Sequence, residues 1–192
     1  QEAYHVFIKM GLDQYEDGSD LRILEMGLGT GLNCFITYLE AKKRQLTIDY
    51  LGLEGYPLET EMIFELNHLE QLKAESEAIV YNTIQTAQWN KLLQIDKNFS
   101  LTKGQLMFED FKEQEIADLI YFDAFGAWVQ PEFRTEEIFG KMYDALKNNG
   151  IIVTYAANGS VRRAMQAVGF IVERLPGPPG KREMLRGRKV NN

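Results

Sequence analysis

Short apolar runs alternate along this chain with longer stretches in which apolar residues return every three or four positions. "LRILEM" at 21–26, "IDYLGLE" at 48–54, "ADLIYFDAF" at 117–125 and "IIVTYA" at 151–156 are rich in branched and aromatic side chains. Runs of that length predict buried strands. The first stops at a glycine, the second at Glu54, and the third carries Asp123 near its C-terminal end. "LNCFITYLEAKK", 32–43, has helical spacing. Pro57 and Leu58 open a stretch that reads as mostly helical to about Gln94, with a break near Asn67–His68. "FSLTKGQLMF", 99–108, alternates loosely and reads as a hairpin or as one strand. The segment 131–150 begins with proline, has acids in its first turn and stops at glycine, which predicts a helix. "SVRRAMQAVG", 160–169, predicts a short helix with Ser160 as N-cap. "FIVERL", the turn "PGPPG" and "REMLRGRK" predict a closing antiparallel strand pair.

Strands alternating with helices predict an α/β fold, a mostly parallel sheet with helices on both faces. A C-terminal antiparallel pair is unusual for a dinucleotide-binding Rossmann domain and fits the Rossmann-like variant used by many methyltransferases. No repeat, low-complexity segment or linker divides the chain, so 1–192 read as a single domain.

Composition narrows this picture only slightly. No apolar run approaches the ~20 residues of a membrane helix, and the first twenty residues lack the pattern of a signal peptide. The single cysteine, Cys34, excludes an internal disulfide and a cysteine-based zinc site, and no cluster resembles a metal centre. A cytoplasmic protein with no membrane partner is expected. Charge changes more: the net value is −7, yet 162–189 hold eight basic residues against Glu173 and Glu183. That end is +6 and the remainder −13. A basic end on an acidic body is either a solvated tail or a polyanion contact, because the local field decides where phosphate sits.

The candidate chemistry starts at "EMGLGTGLN". Gly27, Gly29 and Gly31 follow the first strand as G-x-G-x-G, with Leu32 in the place where a dinucleotide fingerprint has its third glycine. Glu25 stands two residues ahead of Gly27, and Thr30 and Asn33 flank Gly31. This variant suits S-adenosylmethionine, which has an ammonium and a carboxylate instead of a pyrophosphate. Glu25 would attract the ammonium, and backbone N–H groups would hold the carboxylate. Glu54, 23 residues beyond Gly31, would accept the ribose hydroxyls. In "FEDF", Asp110 would take the adenine amino group while the backbone at Phe111 reads the ring edge. An NAD-type ligand is the weaker alternative.

Asp123 is placed where open α/β sheets hold their ligands, and a loop-capping aspartate is the plainer reading. Phe125 and Trp128 follow it. Four stretches then give a specific resemblance: "QEAYHVF", "EMGLGTGLN", "DLIYFDAF…QPE…T" and "TYAANGSVRRAMQAVGF…GKREML". Together they resemble the methyltransferase domain of the MnmC/MnmD family, which finishes 5-methylaminomethyl-2-thiouridine at the tRNA wobble position. The resemblance implies a class I S-adenosylmethionine-dependent methyltransferase whose Asp123 faces the reacting amine and whose partner is the tRNA anticodon loop. This chain departs from the family pattern at Gly126 and Ala127, where the family has Ala-Pro, and at Phe133, where tryptophan is common. Family members also carry a segment ahead of "QEAYHVF", and the bifunctional members an FAD-dependent oxidase domain that is not expected within these residues.

The implied substrate is the primary amine of 5-aminomethyl-(2-thio)uridine. Such an amine titrates near roughly 10, so about one molecule in a thousand is a nucleophile at pH 7. Asp123 would orient the nitrogen and accept a proton. Its charge also favours the ammonium form, so orientation is expected to be its larger contribution. Phe125, Trp128 or Tyr155 would stack on the extruded base, or serve as core. Lys181, Arg182, Arg162 and Arg163 would meet phosphates, or pair with Glu183 and helix ends. His5 and His68 read as structural. A methyltransferase for another amine, or a non-catalytic binding module, would share this fold.

Overall fold

The computed structural model describes residues 1–123 and 135–190. Its frame is one eight-stranded sheet. The strands are β1 (Asp20–Met26), β2 (Thr47–Glu54), β3 (Leu92–Asp96), β4 (Phe99–Gln105), β5 (Ala117–Phe122), β6 (Leu146–Thr154), β7 (Ile171–Pro176) and β8 (Glu183–Arg188). Their spatial order is β3-β4-β2-β1-β5-β6-β8-β7. The inner five strands run parallel, while β3 and the β7/β8 pair are antiparallel. The chain therefore reverses its direction of travel across the sheet between β1 and β5, where such sheets open a crevice at their C-terminal ends.

Alternation on the strands separates two faces. Leu21, Ile23, Ile48, Tyr50, Leu119 and Tyr121 meet Cys34, Phe35 and Tyr38 of α1 (Leu32–Arg44) and Val6, Phe7 and Ile8 of a π-helical segment, Tyr4–Lys9. Leu24, Met26, Ile120, Phe122 and Ile152 meet Phe139 and Met142 of α5 (Thr135–Ala145) and Val161 and Met165 of α6 (Gly159–Ala167). Glu25 shares the parity of Leu21 and Ile23, so its side chain is directed beneath α1.

The helical stretch after Glu54 divides into α2 (Thr60–Phe64), α3 (His68–Gln71), a 3-10 turn (Glu75–Glu77) and α4 (Ala78–Thr86). The break falls at Asn67, in the left-handed region at φ 52°. Helix does not reach Gln94: residues 92–96 form edge strand β3, paired with the single strand β4. Asp96 Oδ1 accepts from the N–H of Asn98 at 2.8 Å, an Asx turn that joins the two.

Two further expectations change. The helix expected to run to 150 ends at Ala145, because Leu146 already pairs with Ala117. The register then slips before Ile151 meets Leu119. Gly150 fills that slip, where a Cβ would lie 2.9 Å from the Lys147 carbonyl oxygen and 3.0 Å from that of Asp118. The N-cap of α6 is Asn158 instead of Ser160. Its Oδ1 accepts from the Val161 N–H at 2.9 Å, and the Ser160 hydroxyl donates to the same oxygen at 2.6 Å.

The closing strand pair appears as expected, with β8 inserted between β6 and β7. Gly187 permits this, since a Cβ there would meet Met165 Cε at 2.8 Å and Ile152 Cγ2 and Phe170 Cδ1 at 3.0 Å. Overfilling such a position typically costs about 1–3 kcal/mol. Gly187→Val should lower unfolding stability by that amount or more, measured by urea denaturation.

Candidate active site

The glycine loop leaves β1 with all three glycines at positive φ: 91° at Gly27, 53° at Gly29 and 71° at Gly31. L side chains rarely take such angles, so the spacing is a backbone requirement. The loop is tied down from both sides. The Gly27 and Leu28 N–H groups both donate to the Leu53 carbonyl at 3.0 Å. The Glu54 carboxylate accepts from Gly29 N–H at 3.0 Å and from Tyr56 N–H at 3.1 Å. On the outer side, Gln85 Nε2 donates to the Thr30 carbonyl at 3.0 Å, and buried Lys103 donates to the Gln85 carbonyl at 2.9 Å. Gly31 then caps α1 with no side-chain hydrogen bond, which leaves the helix N-terminus to other acceptors.

One chain of hydrogen bonds runs from the core to the crevice. Tyr50 donates to Glu25 Oε2 at 2.6 Å. Asn33 Nδ2 donates to Glu25 Oε1 at 2.8 Å and to Asp123 Oδ2 at 3.1 Å. Glu25 is fully buried. Burial pushes its carboxyl well above the usual range, against the Tyr50 and Asn33 hydrogen bonds, and the charge of Asp123 adds to the rise. Both oxygens of Glu25, the acid expected from the sequence to attract a ligand ammonium, are engaged by Tyr50 and Asn33, and Asn33 links it to the crevice. Asp123 follows β5, its N–H donating to the Met26 carbonyl at 3.0 Å. Burial raises its carboxyl to about 6; the Asn33 hydrogen bond lowers it, Glu2 raises it and Lys181 lowers it.

Asp123 opens on a crevice of about 430 Å³, lined also by Glu2, Phe7, Leu32, Tyr155 and Lys181. Lys181 Nζ lies 3.8 Å from the Tyr155 ring centroid and 2.7 Å from Glu2 Oε1. Lys181, by sequence a candidate for phosphate or for an internal ion pair, lines the same crevice as Asp123. Glu2, Phe7 and Leu32 had no role in the sequence reading, and "QEAYHVF" was a likeness without a task. Tyr50 and Gln85 were missed because their partners are distant in sequence.

The remaining candidates separate. Asp110 is exposed at the end of a 3-10 turn that follows β4. The Phe111 side chain is buried in the core, so only its backbone is left to face a ligand. The turn is held near Glu54, since Leu106 N–H donates to the Glu54 carbonyl at 3.1 Å. On α6, Arg163 is exposed and Arg162 half-buried, its Nε without a hydrogen-bond partner. Arg182 is exposed beside Glu183, which Arg174 holds at 2.5 Å. Arg186 pairs with Glu173 at 2.7 Å, so part of the basic end is internally neutralised. His5 Nε2 lies 2.8 Å from the Pro176 carbonyl oxygen, and buried His68 meets the Tyr81 hydroxyl at 3.2 Å. Phe125 and Trp128 lie outside the described residues. Among the described residues no group of acids, histidines and cysteines is set to hold a metal ion, and no helix is long and apolar enough to cross a membrane.

A model of the S-adenosyl-L-methionine-dependent methyltransferase family matches residues 70–190. The chain belongs to that family. A tRNA 5-methylaminomethyl-2-thiouridine biosynthesis bifunctional protein MnmC from Leptospira borgpetersenii is 29% identical over 204 residues, covering 100% of this chain and 31% of that protein. The MnmC of Hydrogenovibrio crunogenus is 30% identical over 180 residues, covering 88% and 26%. The chain thus spans about a third of the length of these curated relatives, or less. The crystal structure of MNMC2 from Aquifex aeolicus superposes with a TM-score of 0.68 at 21% identity, covering 97% of this chain and 59% of that one. An S-adenosylmethionine-dependent O-methyltransferase from Thermotoga maritima superposes at 0.53 with 20% identity, covering 97% and 64%. The fold of this methyltransferase is accordingly class I, mostly parallel with the antiparallel C-terminal pair.

Its residues fit S-adenosylmethionine. A Cβ at Gly29 would find nothing nearer than 4.0 Å, so the glycine loop presents bare backbone to open space. The α1 N-terminus carries no side-chain cap. Each Glu54 oxygen accepts one N–H from the protein and keeps a lone pair for a hydroxyl.

Two outcomes test this geometry. Tyr50→Phe removes a donor from buried Glu25 and should cost about 1–3 kcal/mol in chemical denaturation. Asp123, raised to about 6 against roughly 4 when unfolded, favours folding fully below pH 4 and loses that contribution as pH rises through 6. The melting temperature of Asp123→Asn should therefore rise relative to the parent above pH 6, the difference closing below pH 4.

Proposed function

We propose that this methyltransferase acts on the primary amine of 5-aminomethyl-(2-thio)uridine at the tRNA wobble position, giving 5-methylaminomethyl-(2-thio)uridine. The observation that carries the reading is the placement of Asp123: it ends the strand beside the glycine loop, is held by Asn33, and lines a crevice with an aromatic wall. The names of the MnmC relatives supply the substrate class.

When bound, S-adenosylmethionine supplies an electrophilic methyl whose bond to sulfur breaks with the electron pair staying on sulfur. The protein must offer that methyl a neutral nitrogen. Asn33 fixes Oδ2 of Asp123, leaving Oδ1 to accept a hydrogen bond from the substrate nitrogen and aim its lone pair. With its carboxyl raised to about 6, Asp123 is also a better-matched proton acceptor for an ammonium than an ordinary carboxylate. Exposed Arg163 and Arg182 are the candidate cations for tRNA phosphates.

The direct test is nucleoside mass spectrometry of tRNA from cells lacking this protein. The unmethylated aminomethyl nucleoside should accumulate, and a normal nucleoside profile would refute the reading. For the purified protein, Asp123→Ala should lower kcat by about 10²-fold or more while leaving S-adenosylmethionine affinity within a few-fold, measured by calorimetry beside turnover. An Arg163→Ala/Arg182→Ala double variant should weaken tRNA binding and flatten its dependence on log salt by about 1–2.

A further inference from the structure

We propose that Lys181 is a positioning residue of the amine site: its ammonium, paired with Glu2 over Tyr155, keeps the incoming substrate amine neutral beside Asp123. The inference rests on the amine-methylating reading above and adds a role that neither the family match nor the relatives' names assign.

The placement of Lys181 is built by its turn. Gly180 sits at φ +88°, and the Lys181 N–H donates to the Pro178 carbonyl at 2.9 Å. The Gly177 N–H donates across the loop to the Arg182 carbonyl at 3.2 Å. A Cβ on Gly177 would lie 2.4 Å from the Lys181 carbonyl oxygen, so backbone packs directly on backbone there. From this closed loop the side chain is held by the Glu2 ion pair and the Tyr155 face, both lining the crevice that contains Asp123. Its charge reaches Asp123, whose carboxyl it pulls downward against burial.

The charges around the crevice explain why a cation belongs there. Glu2 comes from the N-terminal segment and Asp123 from the end of β5, Tyr155 follows β6, and Glu25 stands behind Asn33. Arg182 is the next residue in the turn of Lys181 itself. Two carboxylates without a counter-charge would hold a substrate amine as its ammonium, which has no lone pair for the methyl carbon. Lys181 occupies Glu2 and sets a like charge near the nitrogen, and a neighbouring cation favours the neutral amine. Asp123 is then free to orient the nitrogen. A lysine serving only phosphate would gain nothing from this tether.

The experiment follows kcat against pH with an anticodon stem-loop carrying 5-aminomethyluridine at saturating S-adenosylmethionine. In Lys181→Met the rising limb should move up by about one pH unit, with turnover about tenfold lower at pH 7 and recovered at high pH. Lys181→Arg should return the limb to its parental position. Glu2→Gln, which removes a carboxylate and leaves Lys181 intact, should move the limb the opposite way, toward lower pH. Thermal unfolding and S-adenosylmethionine calorimetry on each variant confirm that folded protein is compared. If Lys181→Met only raises KM at every pH and flattens the salt dependence, with the limb unmoved in Glu2→Gln as well, the proposal is overturned. An inactive parental protein would overturn the amine reading and this role together; an active one with unmoved limbs overturns only Lys181.

Discussion

The site depends on one amide. Asn33 stands two residues past the last glycine of the loop and spends its two N–H bonds on two carboxyl groups from different strands. Without it, Glu25 would keep only its Tyr50 hydrogen bond and Asp123 would lose the amide that holds Oδ2. With it, a group in the core and a group at the crevice share one orientation. The three left-handed glycines place Asn33 correctly, because they turn the chain from β1 into α1 within five residues. The glycine motif therefore does two things: it leaves bare backbone open at Gly29, and it aims the first turn of α1.

Much of this was legible in the sequence because the signals were local. Four strands, α1, α6 and the closing pair follow from apolar runs and from glycine and proline punctuation. The placement of the glycines, Glu54 and Asp123 at successive strand ends follows from that pattern. Local signals failed where a tertiary contact decided. Residues 92–96 have apolar positions that suit a helix, yet β4 offered an open edge and the Asx turn at Asp96 made a hairpin available. The end of α5 was set by pairing of Leu146 with Ala117, a contact about thirty residues away that no capping rule contains. Asn158 and Ser160 are both good caps on paper, and only the reach of Asn158 to Val161 N–H separates them.

The site residues divide in the same way. Glu25 was found by its distance from Gly27, but its direction was not, since strand parity and the partner Tyr50 decide that it faces α1. Lys181 was singled out for its charge, while its meaning came from Glu2 and Tyr155. Sequence reports which chemistry is present; the packing reports which neighbour it answers to.

The meeting of His5 with Pro176, 171 positions apart, has a consequence for assembly. The glycine loop, Glu54 and Asp123 can be arranged by the central parallel strands. The crevice at Asp123 needs the π-helical segment on one side and the β7–β8 turn on the other. Such distant closure is slow to form. During synthesis, the glycine loop and its neighbouring strand ends would thus be arranged before the crevice at Asp123 gained its walls, and that crevice would be the last part of the molecule to mature.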